Sequence, residues 1–212
     1  VLFVIPILIL LTAIAVFYQN PITSTGKTSA EKKYTEKDFE MDSSFEKIAV
    51  SVKAHIVIDM SGYYTSGRDE LNIEKLFERV NEIWSNSDIY FHIDEIVLSD
   101  FDENAIPDAI NGNYDNIYHN KNFDKEKINV FFTQSLNGIN GLALVRINSI
   151  LIADMTTVDD FRTLAHEMGH ILGLGHVDNP RMLMAQGGNG EDLTEEEINA
   201  AREKAMELLG II

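Results

Sequence analysis

Three of the six histidines in this 212-residue chain, His166, His170 and His176, fall within the single stretch HEMGHILGLGH. His166 and His170 are four residues apart, so on a helix they share a face and stand about 6 Å apart along the axis. Two imidazoles at that spacing can reach one zinc ion at about 2.0–2.1 Å. Glu167 lies roughly 100° round the helix from His166, close enough to touch a zinc-bound water without ligating the ion. The next turns of the same helix climb away from the metal, so a third ligand has to arrive from outside it. Gly173 permits the left-handed backbone that stops a helix, Gly175 adds freedom, and His176 then comes back toward the ion. Three protein ligands leave the fourth position for water, the arrangement of a catalytic zinc site. The chain contains no cysteine, which leaves histidine and oxygen as the available ligands. His55, His92 and His119 show no such grouping and are read as core or exposed residues without a role.

These ligands need a scaffold, and the apolar pattern outlines one. IAVSVKAHIVID (Ile48–Asp59) alternates and is rich in β-branched residues, so it reads as a strand. Asp69–Trp84 places Leu71, Leu76, Phe77, Val80, Ile83 and Trp84 on one helical stripe. Ile89–Leu98 reads as a second strand, and strand, helix, strand in that order implies a parallel crossover. Ser99–Lys127, dense in Asp and Asn, reads as a long surface excursion. Its DFDEN (Asp100–Asn104) faintly resembles a calcium loop, although the glycine and the closing glutamate are absent. Three further strands follow at Ile128–Gln134, Gly141–Ile147 and Ser149–Met155. The motif helix is expected to begin at a cap on Thr156 or Thr157, with Asp159 and Asp160 in its first turn. A capping box, Thr194 to Glu197, opens a last helix running to about Leu209.

The ends and the charge bound the biology. VLFVIPILILLTAIAVFY (residues 1–18) carries no charge over about the minimum length for a bilayer crossing, and its Ala13-Ile14-Ala15 has the small-x-small look of a cleavage site. A membrane anchor and a cleaved signal segment are both open readings, and either implies export. Residues 19–46 are polar and read as a tether or short pro-segment, which leaves 47–212 for the folded domain. The formal net charge is -17. Such a surface repels nucleic acid and anionic headgroups, so no nucleic-acid partner is expected and any membrane contact falls to residues 1–18.

HEMGHILGLGH is complete at every fixed position of H-E-x-x-H-x-x-G-x-x-H, and it resembles the zinc signature of the metzincin metallopeptidases. Met184, eight residues after His176 within PRMLMA, resembles the Met-turn methionine that lies beneath the zinc without binding it. Met182 competes, but the Leu-Met pair and the spacing resemble the matrixin branch and select Met184. NGLALV resembles the upper-rim edge strand of matrixins, with Leu142 and Ala143 matching its Leu-Ala pair. The resemblance therefore implies an α+β metzincin-like catalytic domain. Its twisted mixed five-stranded sheet would carry two long helices above the cleft and a C-terminal helix below, with the cleft between upper and lower subdomains. Two departures stand out: Val177 follows the third histidine where matrixins typically carry Ser, and no tyrosine follows Met184 at the astacin-like position.

The activity implied is zinc-dependent hydrolysis of peptide bonds inside extended polypeptides, by a zinc-activated water with Glu167 as general base and then acid. Leu142 and Ala143 would pair with the substrate backbone as an added strand. Arg162, four residues before His166, corresponds to a position near the base of the primary pocket in matrixins. There it would shorten the pocket, welcome an acidic side chain, or point to solvent. With no cysteine for a switch, Asp38 or Asp42 could cover the zinc in a latent form. Two alternatives share the same residues: a zinc-containing module that binds peptides without cutting them, and an aminopeptidase with an acidic pocket for the substrate's amino terminus. The resemblance places the catalytic domain outside the cell, secreted or membrane-anchored.

Overall fold

The computed structural model describes residues 47–212. The apolar segment 1–18, the tether 19–46 and the latch residues Asp38 and Asp42 lie outside the described residues. Among the described residues, no helix is long and apolar enough to cross a membrane.

Five strands form one sheet: β1 (Ile48–Asp59), β2 (Ile89–Phe101), β3 (Ile128–Thr133), β4 (Gly141–Leu144) and β5 (Ser149–Ala153). Their order is β2-β1-β3-β5-β4, parallel throughout except that β4 runs antiparallel to β5 and closes one edge. The β1–α1–β2 unit, with α1 at Glu70–Trp84, is the parallel crossover expected from strand, helix, strand. A capping box between Asp69 and Asn72 starts α1 by satisfying two of its open amide groups. The buried stripe of α1 is Ile73, Leu76, Phe77, Val80 and Trp84; Leu71 faces water instead, because at about 100° per residue it lies on the opposite side of the helix from Ile73 and Val80.

Alternating side chains of the strands feed two apolar cores. On one face Val50, Val52, Val130, Phe132, Ile150 and Ile152 meet α1, α4 (Asp160–Ile171) and α5 (Glu195–Leu208). On the other, Val57, Phe131 and Leu151 meet Ala105, Ile106 and Ala109 of α2 (Ala105–Ile110) and Ile117 of α3 (Asp115–Tyr118). The segment 99–127 is thus not a surface excursion. Its Asn and Asp residues make turns, while its few apolar residues roof the second face of the sheet. The stretch Asp100–Asn104, suggested above as a calcium loop, opens this segment. The Asp100 carboxylate pairs with Lys121 at 2.8 Å and the Asp102 carboxylate accepts the Asn104 amide, as an ordinary turn into α2.

His55 is a fully buried member of β1 that joins three strands. Its Nε2–H donates to Asn129 Oδ1 at 3.0 Å, its Nδ1 accepts the Ser99 hydroxyl at 2.8 Å, and its ring stacks on Phe131. Burial pulls its pKa from 6.5 down to about 4. An unfolded chain takes up this proton as the pH drops through 6.5, whereas the folded chain waits until about 4. Stability is therefore lost between those values, by up to about 3 kcal/mol. Urea unfolding of the chelator-treated protein at pH 7 and pH 4.5 should show a smaller acid loss in His55→Gln than in wild type. Equal losses would remove His55 as the cause.

Candidate metal centre

The histidines stand on α4 and on the turn that ends it. Four anchors fix this helix. Arg68 pairs with Asp160 in its first turn at 2.9 Å and also donates to the Asp154 carbonyl at the end of β5. Arg79 lies over the Phe161 ring. The buried Trp84 indole N–H donates to the Ala165 carbonyl at 3.3 Å, tying α1 to the middle of α4. At the far end Gly173 adopts φ 81°, and its amide and that of Leu174 return to the carbonyls of His170 and Gly169. A side chain at Gly173 would meet only Lys204, at 3.9 Å, so the left-handed backbone and not crowding demands glycine there. Gly175 is different: it has no positive φ and a side chain would face open space. The helix starts later than the threonines suggested, with Asp159 as its N-cap. Thr156 bonds to the Val158 carbonyl, and Thr157 is held by Asn140 beside β4, so both secure the loop instead of the helix.

His176 comes back from this turn as expected of a third ligand. The three Nε2 atoms lie 3.1 Å (His166–His170), 3.2 Å (His166–His176) and 3.0 Å (His170–His176) apart. Bonds of 2.0–2.1 Å at tetrahedral angles would separate zinc ligands by about 3.3 Å, so the trio matches the ion closely. The protonation pattern agrees. His166 Nδ1–H donates to the Leu183 carbonyl at 2.8 Å and His170 Nδ1–H to the Leu174 carbonyl at 2.9 Å, which leaves both Nε2 lone pairs facing inward. Lone pairs aimed at one another repel unless a cation sits among them. Burial also favours neutral rings, pulling His166 down to about 4 and lowering His170. Among the described residues this trio is the one group of three or more candidate ligands close enough to share an ion.

Glu167 is buried next to the trio, and burial pushes its carboxyl up to about 7 against the pull of the Ala143 amide and the Arg162 charge. It lines a cleft of about 770 Å³ together with the three histidines, Leu142 and Ala143 of β4, Thr163 and Arg162. β4 forms the rim of this cleft and is an edge strand, with Leu142 and Ala143 paired on one side to Leu151 and Ile150. Met184 is fully buried with its thioether against Gly169, between the two helical histidines, whereas Met182 is half-buried in the preceding turn. Arg162 does not point to solvent. It is 4% exposed, with its guanidinium bonded to the carbonyls of Leu183, Ala185 and Gly190.

The family model for Matrixin (Peptidase_M10) matches residues 24–203. The chain belongs to the matrixin family. Two solved structures agree on the fold, and a third is more distantly similar. An archaemetzincin from Methanopyrus kandleri is 13% identical over 74% of this chain and 95% of its own, with a TM-score of 0.52. A chain described as a chaperone-substrate complex is 15% identical over 76% of this chain and 35% of its own, at 0.51. Metalloproteinase-II from Bacteroides fragilis is 16% identical over 74% of this chain and 53% of its own, at 0.46. No curated protein matches. This matrixin is thus a zinc metallopeptidase, and His166, His170 and His176 fit its catalytic zinc.

Two glycines of this matrixin escaped the sequence reading. Met184 rests where a side chain on Gly169 would have to be, so the fourth residue of HEMGH is chosen by the methionine beneath it. A Cβ on Gly141 would sit 2.9 Å from Glu167 Cγ and 2.9 Å from Thr163 Cγ2. Glycine was visible at both positions, but which side chain lay opposite was not. Gly141→Ala should push Glu167 out of line and lower kcat on the order of tenfold or more, with zinc content nearly unchanged and stability lowered by about 1–3 kcal/mol through crowding of Thr163 and Ile152. Steady-state kinetics beside a zinc assay would check this, and wild-type turnover would show that the carboxylate tolerates the shift.

Proposed function

We propose that this matrixin is an endopeptidase that cleaves within extended polypeptides, with Glu167 as general base and then general acid. The observation that carries the reading is the position of one buried carboxylate between the converging histidines and the open rim of an edge strand. A peptide laid antiparallel along Leu142 and Ala143 would gain main-chain hydrogen bonds from β4 and bring its carbonyl over the trio. Zinc, when bound, supplies a Lewis acid that polarises the carbonyl and makes water more acidic. Glu167, raised toward neutrality by burial, is suited to take a proton at pH 7 and return it to the leaving amine. Arg162 borders the cleft, but its guanidinium is held on the carbonyls of Leu183, Ala185 and Gly190.

The cleft lining also weighs against the aminopeptidase reading. Glu167 is its one carboxylate among the described residues, so a substrate ammonium would find no separate acidic partner. The uncharged segment 1–18 supports a catalytic domain acting outside the cell, secreted or tethered. The deciding experiment uses an internally quenched peptide blocked at both ends, with and without chelator. Cleavage abolished by chelator and restored by zinc is the expected result. Cleavage only of free-amino peptides would establish the aminopeptidase, and binding without cleavage the peptide-binding module.

A further inference from the structure

We infer that Arg162 is a positioning residue of the metal centre, acting through the Leu183 carbonyl on His166 and not by contact with substrate. The inference rests on the zinc-peptidase reading of the trio and adds a part to it.

Arg162 lies one helical turn before His166 on α4. Its Nη2 donates to the carbonyls of Leu183 and Ala185, at 2.6 Å each, and its Nε to that of Gly190 at 3.2 Å. The Leu183 oxygen is shared: it also accepts the Nδ1–H of His166 at 2.8 Å. One carbonyl therefore sets both where the guanidinium sits and which nitrogen of the ligand histidine faces the ion. An outer hydrogen bond of this kind fixes ring tautomer and orientation.

The segment carrying these carbonyls is closed on itself. The Leu183 amide donates to the Asp192 carbonyl at 2.7 Å and the Asp192 amide to that of Arg181 at 3.1 Å. A side chain on Gly190 would collide with the Arg181 backbone, so glycine lets the loop fold in far enough to present its carbonyl to Arg162. Leu183 and Ala185 are buried, which keeps water from replacing the guanidinium at their oxygens. Three of the five N–H groups of the guanidinium are thereby committed, and the group cannot swing into the cleft. Glu167 and Glu191 supply the nearby negative charge. Met184, between Leu183 and Ala185, is held against Gly169 by the same clamp. A lysine offers a single nitrogen and cannot span three carbonyls in a plane.

The test uses the full zinc-loaded chain with Arg162→Met and Arg162→Lys. Three readouts are needed: zinc transfer to a chromophoric chelator, the visible spectrum of the Co2+-substituted protein, and kcat and KM on two end-blocked peptides. The peptides differ only in an acidic residue or alanine just after the scissile bond. Arg162→Met should release zinc about 10–100-fold faster and shift the cobalt bands. It should lower kcat by a similar factor on both peptides, with KM nearly constant, and Arg162→Lys should fall between it and wild type. Unchanged zinc release and cobalt bands would overturn the inference. So would a loss confined to KM for the acidic peptide, which would make Arg162 a substrate contact. Should Arg162→Met fail to fold, the same readouts on Arg162→Lys decide. A wild-type chain that takes up no zinc would overturn the zinc reading and this inference together.

Discussion

Replacing Glu167 by alanine should lower kcat at least about a hundredfold while the chain still takes up zinc. The two halves of this expectation have separate grounds. Metal binding belongs to the imidazoles, whose inward-facing Nε2 atoms owe their orientation to the Leu183 and Leu174 carbonyls, and neither bond involves Glu167. The proposed proton transfer falls to the carboxylate, because no other acidic side chain among the described residues lines the cleft. Glu167→Gln is the sharper variant: it keeps the shape and the Ala143 amide nearby while removing the base. Both variants should match wild type in zinc stoichiometry and in peptide KM. Turnover near the wild-type rate would take the proton-transfer role away from Glu167.

His176→Ala should cost more, with activity falling to background and zinc lost on dilution or brief dialysis. The outer hydrogen bonds of a zinc site are commonly worth about 10–100-fold in affinity, and a direct ligand exceeds that. His176 is also the ligand that does not stand on the helix, so its removal leaves α4, Gly173 and the first two histidines in place. Two imidazoles then remain, and among the described residues no other His, Asp or Glu is grouped with them to share the ion. Unfolding midpoints of the chelated proteins should agree, because His176 is exposed and carries little packing. Tight zinc retention by the variant would show that the trio is not the binding site.

The zinc trio was legible because its geometry is local. A spacing of four on a helix, a left-handed glycine and a return within a few residues need no knowledge of distant chain. The strands and the helices α1 and α5 were legible for the same reason, through apolar period and, in α5, the capping pair Thr194 and Glu197. What escaped the sequence depends on contacts across the chain. Ala105, Ile106 and Ile117 are too few and too widely spaced to signal a core, yet they roof Phe131 and Leu151. Thr157 is a good helix cap by type, but Asn140, seventeen residues away, claims its hydroxyl first. The placement of Arg162 was undecidable from its helix alone, because the carbonyls that hold it come from residues 183, 185 and 190.

The free margin of β4 has a consequence for what such an enzyme can attack. A segment that docks there must first surrender whatever helix or hairpin it belongs to, and that unwinding comes out of the target's own stability. Every 1.4 kcal/mol needed to loosen a site would slow its scission about tenfold where opening and reclosing are fast. On native proteins, then, the vulnerable points would be frayed ends and slack linkers, and a cofold or ligand that tightens a target would shield it without ever touching the protease.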